Sequence, residues 1–181
     1  MPRRLTRTRL ADDRIRLEPL TQAHRGHMIE LARDPEVLRY TRVPADADEA
    51  YVTGWIGRYE EGWEDGRRLG WTIRDAAGGA FLGFAAIVTL DLGALEGEIG
   101  YMVAPEARGR GVATRAVALL TRWGFDELGL ERLELRIDPA NLGSVRVAER
   151  SGYRLDGVLR HMHLKDGLRA DTGVWSRLRQ D

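Results

Sequence analysis

The stretch from Gly97 to Thr114 limits what this chain can fold into more than any other. Gly-Glu-Ile-Gly-Tyr-Met-Val alternates as a strand, with Ile99, Tyr101 and Val103 on one face and Glu98, Gly100 and Met102 on the other. Pro105 ends it, and Gly109 and Gly111 punctuate a turn. Ala113, Ala116, Val117, Leu120 and Trp123 then recur at helical spacing, which predicts a helix over about Gly111 to Glu127. Strand, glycine turn and helix in that order build an anion site, because the backbone N–H groups of the turn and of the first helical turn point one way and the helix dipole adds positive charge there. Arg108 and Arg110 place full charges beside those amides.

That site has to be local. Lys+Arg and Asp+Glu number 28 each, so no global field draws nucleic acid or an anionic membrane. No apolar run approaches the ~20 residues of a membrane-spanning helix. The absence of cysteine excludes disulfides, a thiolate nucleophile and Cys-ligated zinc, and the cytoplasm is the expected compartment. At 181 residues the chain suits one domain over residues 11–181, and the Arg-rich residues 1–10 read as a frayed basic arm.

Around the central stretch the pattern is mixed α/β. Asp13 to Glu18 reads as a strand, and a helix from Thr21 runs to about Ala32, before Asp34-Pro35. A second helix runs from Asp46 to about Glu64 with Tyr51, Trp55, Tyr59 and Trp63 as an aromatic stripe. That stripe is core material against a sheet, or in part the lining of a pocket. Gly70 to Asp75 and Ala80 to Leu90 form a hairpin, and Leu133 to Ile137 a strand that Pro139 stops. A short helix over Leu142 to Arg150 is closed by Gly152. Tyr153 to Arg160 and Asp171 to Leu178 complete the sheet through a turn at Lys165-Asp166-Gly167. Hairpins mixed with helical crossovers predict one sheet covered by helices.

Arg108-Gly109-Arg110-Gly111-Val112-Ala113 resembles the acyl-CoA pyrophosphate loop, Gln/Arg-x-x-Gly-x-Gly/Ala, of the GCN5-related N-acetyltransferases. Glu98-Ile99-Gly100-Tyr101, Asn141-Leu142-Gly143-Ser144, Ser151-Gly152-Tyr153 and the segment from Gly157 to Asp171 are similar to the RimJ/RimL-type ribosomal-protein N-terminal acetyltransferases within it. A dinucleotide fingerprint fits less well: Gly109-x-Gly111-x-x-Thr114 lacks the third glycine, and Ala104 to Ala107 lengthen the connection. A turn of purely structural glycines would leave two arginines beside free amides with no anion.

The resemblance implies a single twisted, mostly antiparallel sheet of about seven strands with a splayed central pair and about four flanking helices. It implies acetyl-CoA, or another acyl-CoA such as succinyl-CoA, as co-substrate and no metal. The reaction is direct transfer to an amine acceptor, a protein N-terminus or a small amine, in a ternary complex. Carried over, Met102 and Val103 offer main-chain bonds to the pantetheine arm. Arg108, Gly109, Arg110, Gly111, Val112 and Ala113 hold the pyrophosphate with Thr114 as hydroxyl donor, and Asn141 and Ser144 sit beside the arm. Asn141 and Ser144 also suit the start of a helix as caps.

Glu98 is the expected base, with pairing to an arginine as its structural alternative. Ser144 is the expected group at the leaving thiolate, because the tyrosine that many relatives carry seven residues beyond the asparagine is Ala148 here. Without that tyrosine, an acyl-CoA-binding domain that has lost catalysis is the competing function. His161 and His163 share a face if their strand continues, and Arg160 is placed to pair with Asp171 across the last hairpin. A homodimer is compatible with the sequence, which does not decide it.

Overall fold

A computed structural model describes residues 4–181. Eight strands make one sheet: β1 (Leu10–Ala11), β2 (Ile15–Pro19), β3 (Leu69–Asp75), β4 (Phe81–Asp91), β5 (Glu96–Val103), β6 (Arg132–Ile137), β7 (Arg154–Lys165) and β8 (Leu168–Leu178), in the order β1-β2-β3-β4-β5-β6-β8-β7. Every neighbour pair is antiparallel except β5 and β6. Five helices cover it: α1 (Arg25–Ala32), α2 (Pro35–Tyr40), α3 (Glu49–Asp65), α4 (Val112–Asp126) and α5 (Leu142–Arg150).

The two faces of β5 feed two cores. Ile99 packs with α4 residues Ala116, Val117 and Leu120 and with Leu133 and Leu135 of β6. Met102 packs with Phe84 and with Met28, Val52, Trp55 and Ile56 of α1 and α3. The period-2 alternation of β5 thus sets which helices stand on which side of the sheet. The aromatic stripe of α3 is core: Trp55 and Tyr59 each meet the Phe84 ring edge-on at 5.3 Å, and Trp63 meets Trp71 at 5.0 Å.

Three expectations change. A separate helix, α2, starts where the sequence was read as a break: Pro35 occupies its first position, and the Asp34 side chain accepts from the amides of Glu36 and Val37. The basic arm is docked over residues 4–10, where Leu5 is buried, its amide donates to the Trp63 carbonyl, and Trp71 Nε1 donates to the Thr8 carbonyl. Met1 to Arg3 of that arm lie outside the described residues. Arg160 does not meet Asp171: a bulge between Leu159 and His163 intervenes, and Asp171 accepts from the backbone N–H of His161 instead.

Candidate active site

The parallel pair at the centre of the sheet is short. Only Glu96, Gly97 and Glu98 align with Arg132, Leu133 and Glu134, after which β5 runs on to Val103 and β6 to Ile137 unpaired with each other. β6 keeps its other edge on β8 through Ile137, and β5 keeps its other edge on β4 through Val103. A bulge in β4 between Ile87 and Thr89 lies opposite Glu98 and Ile99, where the strands part, and a bulge adds local twist. The result is a wedge-shaped cleft walled by two strand edges, whose backbone groups are open to a ligand.

The ladder decides which groups of β5 face that cleft. Ala104 N–H donates to the Leu82 carbonyl, and a Cβ on Gly83 would lie 2.2 Å from the Met102 carbonyl oxygen. Even positions therefore bond to β4, and alternation turns the N–H and C=O of Tyr101 and Val103 toward the cleft. Val103 has its backbone on the cleft side. Met102 does not, because its backbone serves β4 and its side chain is core; Tyr101 takes the second cleft-facing position.

At the far end of β5 the chain turns into α4. Gly109 and Gly111 have φ of +73° and +76°, and nothing stands within 4 Å of a Cβ at either. Gly111 caps α4 without a side chain, and the first backbone bond closing onto it comes from Arg115 N–H. The amides of Val112, Ala113 and Thr114 are thus without helical partners and front open space, which fits a diphosphate. Arg110 is exposed beside them, its one hydrogen bond among the described residues being a 3.5 Å approach to the Glu106 carbonyl.

Arg108 is placed otherwise than expected. Its guanidinium is bound by Asp34, by Glu36 at 2.7 Å and by the Val103 carbonyl at 3.2 Å. Burial alone would raise the Asp34 carboxyl; Arg108 and the amides of Val37 and Glu36 outweigh it and hold it below its ordinary value. Arg108 therefore ties α2 to the mouth of the cleft, with three of its five N–H donors committed to Asp34, Glu36 and Val103.

The opposite wall continues from β6 into α5. Asn141 caps that helix by accepting from Ser144 N–H at 3.1 Å, so the structural role of this pair is present whatever else it does. Ser144 is half-buried. Ala148 is fully buried and offers no polar group.

On the α1–α3 face, at the apex of the cleft, sits Glu98. Burial raises its carboxyl above the ordinary value; Arg136, 3.4 Å away, and Arg42 pull it down, and Glu134 pushes it up again. Glu98 is thus partnered by an arginine and its carboxyl is still raised, and a raised carboxylate is a better base near neutral pH than an ordinary one. The bulge in β7 separates the two histidines: His161 is exposed at φ +54°, while His163 is half-buried, its pKa lowered by burial and by Arg42 and Lys165. Arg42, Arg136 and Tyr101 were not singled out from the sequence, since their place in the site depends on which segments meet across the cleft.

The family model of the acetyltransferase (GNAT) domain matches residues 14–154. The Bacillus subtilis "probable N-acetyltransferase YjcK" is 32% identical over 127 residues, 70% of each chain. A candidate ribosomal-protein-serine acetyltransferase from Vibrio cholerae superposes with a TM-score of 0.80 at 18% identity, covering 96% of this chain and 99% of the other. Spermidine N-acetyltransferase from Vibrio cholerae, solved with CoA and spermine, superposes with a TM-score of 0.82 at 17% identity, covering 93% and 98%. A split parallel pair, an uncapped α4 start with open glycines, and a family match across most of the length converge on one conclusion: the chain belongs to the GNAT family of acyl-CoA-dependent N-acetyltransferases.

Proposed function

We propose that this enzyme transfers an acetyl group from acetyl-CoA to the α-amine of a peptide or protein, by direct attack in a ternary complex. The observation that carries the reading is Glu98: a half-buried carboxylate with a raised pKa at the apex of the cleft, on the face opposite α4 and α5.

Each residue then has a physical task. The amides of Val112 to Thr114 and the Arg110 guanidinium hold the diphosphate. The cleft-facing backbone of Tyr101 and the Val103 N–H line the arm as a strand edge would, the Val103 carbonyl already accepting from Arg108. Glu98 takes the ammonium proton, directly or through water, so that the nitrogen lone pair is free to attack the thioester carbonyl; holding the two reactants in one cleft supplies the orientation.

The surroundings of Glu98 favour an acceptor with a single ammonium. Arg42, Arg136 and Lys165 bear on Glu98 and His163, against the carboxylates Glu134 and Asp138. A polyamine brings several positive charges into that company and has too few carboxylates to meet them, whereas a peptide α-amine brings one. The test is acetyl-CoA turnover with free-N-terminal peptides, the same peptides blocked at the N-terminus, and spermidine. The reading expects turnover with the free peptides alone. Faster turnover of spermidine than of any peptide would overturn the acceptor assignment, and no acetylation of any amine would overturn the reaction.

A further inference from the structure

From the geometry of the cleft we infer that Tyr101 is a catalytic residue, whose hydroxyl donates a hydrogen bond to the sulfur of the acyl donor as the carbon–sulfur bond breaks. This rests on the acetyltransfer reading above. Tyr101 is rooted on β5, packs toward the α4–α5 core, and Ser144 at the start of α5 is the polar side chain that bears on its hydroxyl. Its side chain therefore reaches from one wall of the cleft toward the helix that follows the other wall.

The hydroxyl is buried and closes no hydrogen bond within 3.5 Å among the described residues, Ser144 standing near enough to act on it without completing one. A buried O–H with nothing to bond costs stability, and phenylalanine would fill the same volume without that cost. Tyr153 shows the contrast: its hydroxyl is satisfied by Thr121 at 2.7 Å. The remaining orphaned polar atoms, on Arg16, Trp63, Arg74 and Ser151, are rooted outside both cleft strands. Tyr101 alone carries an unused donor on the wall a ligand would touch.

Burial pushes the Tyr101 phenol up to about 12, with Ser144 pulling the other way. An ordinary thiol titrates near ~8.5, so the phenol keeps its proton and acts as a donor. In the step itself the amine lone pair forms the carbon–nitrogen bond, the carbon–sulfur bond breaks, and its electron pair leaves on sulfur. Glu98 passes the ammonium proton to water before attack and then takes the second proton from the nitrogen, while Tyr101 holds the departing thiolate by its O–H until the thiolate takes its own proton from water. This places a donor opposite the sulfur although position 148 is alanine.

The experiment compares wild type, Tyr101→Phe and Ser144→Ala in two readouts. The first is steady-state kinetics with acetyl-CoA. Tyr101→Phe is expected to lower kcat about 10²-fold, the scale of one lost hydrogen-bond donor to developing negative charge, with KM for acetyl-CoA within about threefold and a melting temperature no lower than wild type. The second is the thiolate absorbance of bound CoA titrated with pH, which needs no turnover. The thiol is expected to ionise at lower pH on wild type than on Tyr101→Phe. An unchanged thiol titration with unchanged kcat would overturn the proposal, as would a loss confined to Ser144→Ala. If wild type acetylates no amine, the functional reading fails, and the thiol titration still decides Tyr101.

Discussion

Arg108 and Arg110 stand two residues apart in one motif, and the structure predicts opposite consequences for removing them. Arg108→Ala strips a partner from Asp34, whose side chain is only 8% exposed, and from Glu36. Breaking a buried pair outright costs about 3–5 kcal/mol. Two features reduce that here: Asp34 keeps its bonds from the amides of Glu36 and Val37, and the Arg108 side chain is 33% exposed. A loss of about 2 kcal/mol remains, which in a chain of this length lowers Tm by about 4–8 °C. Acetyl-CoA affinity should fall less than about threefold.

Arg110→Ala is the mirror case. The side chain is exposed with a single marginal hydrogen bond among the described residues, so stability should stay within about 0.5 kcal/mol. A charge-assisted bond to a diphosphate is worth about 1.5–3 kcal/mol, so affinity should fall about 10- to 100-fold. Thermal melts and calorimetric titration with acetyl-CoA read both quantities. The pH dependence adds a check of sign. Asp34 is held below its unfolded value, so its contribution is present above that value, near ~3.9, and is lost as pH falls through the lower folded value. The gap between wild type and Arg108→Ala should therefore close on acidification. An Arg108→Ala protein with unchanged Tm and lost acetyl-CoA binding, beside an Arg110→Ala protein that binds normally, would refute the reasoning.

Glu98→Gln should lower kcat by about 10²–10⁴-fold while leaving stability at neutral pH equal or higher, because burial disfavours the charged carboxylate in the fold and a raised carboxyl loses stability as pH rises through its folded value. Wild-type kcat/KM should rise with pH through a value above the ordinary glutamate range; a flat profile together with full activity in Glu98→Gln would remove Glu98 as base. Gly83→Ala should destabilise by at least about 2–3 kcal/mol in a denaturant melt, since a Cβ there meets the Met102 carbonyl at 2.2 Å and φ is +151°. Wild-type stability in that variant would mean that β4 does not hold β5 in the register described.

Much of this was readable because the signals were local. The alternation around Ile99, the glycines at 109 and 111 and the stripe from Ala113 each report on a neighbouring turn or strand, and the structure has them as expected. What escaped was set by long-range pairing. Arg108 reads locally, with its neighbours, as a phosphate ligand, and its pairing with Asp34, 74 positions away, is invisible at that range. Met102 gave its place to Tyr101 because the inter-strand ladder, which the hydrophobic pattern does not encode, selects alternate backbone groups. The two histidines were parted by a bulge, and a bulge shifts the face of every residue after it. Asp34-Pro35 was read as an end and is a beginning, since the same pair that stops one helix caps and opens the next.

The most direct test of the cleft as an acyl-CoA site is an amide NMR titration of the protein with acetyl-CoA. The account predicts binding, with the largest shifts at the amides of Val112, Ala113 and Thr114 and along the open edge of β5 at Tyr101 and Val103. Shifts confined to other surfaces with these amides unmoved, or no binding at millimolar acetyl-CoA, would contradict it.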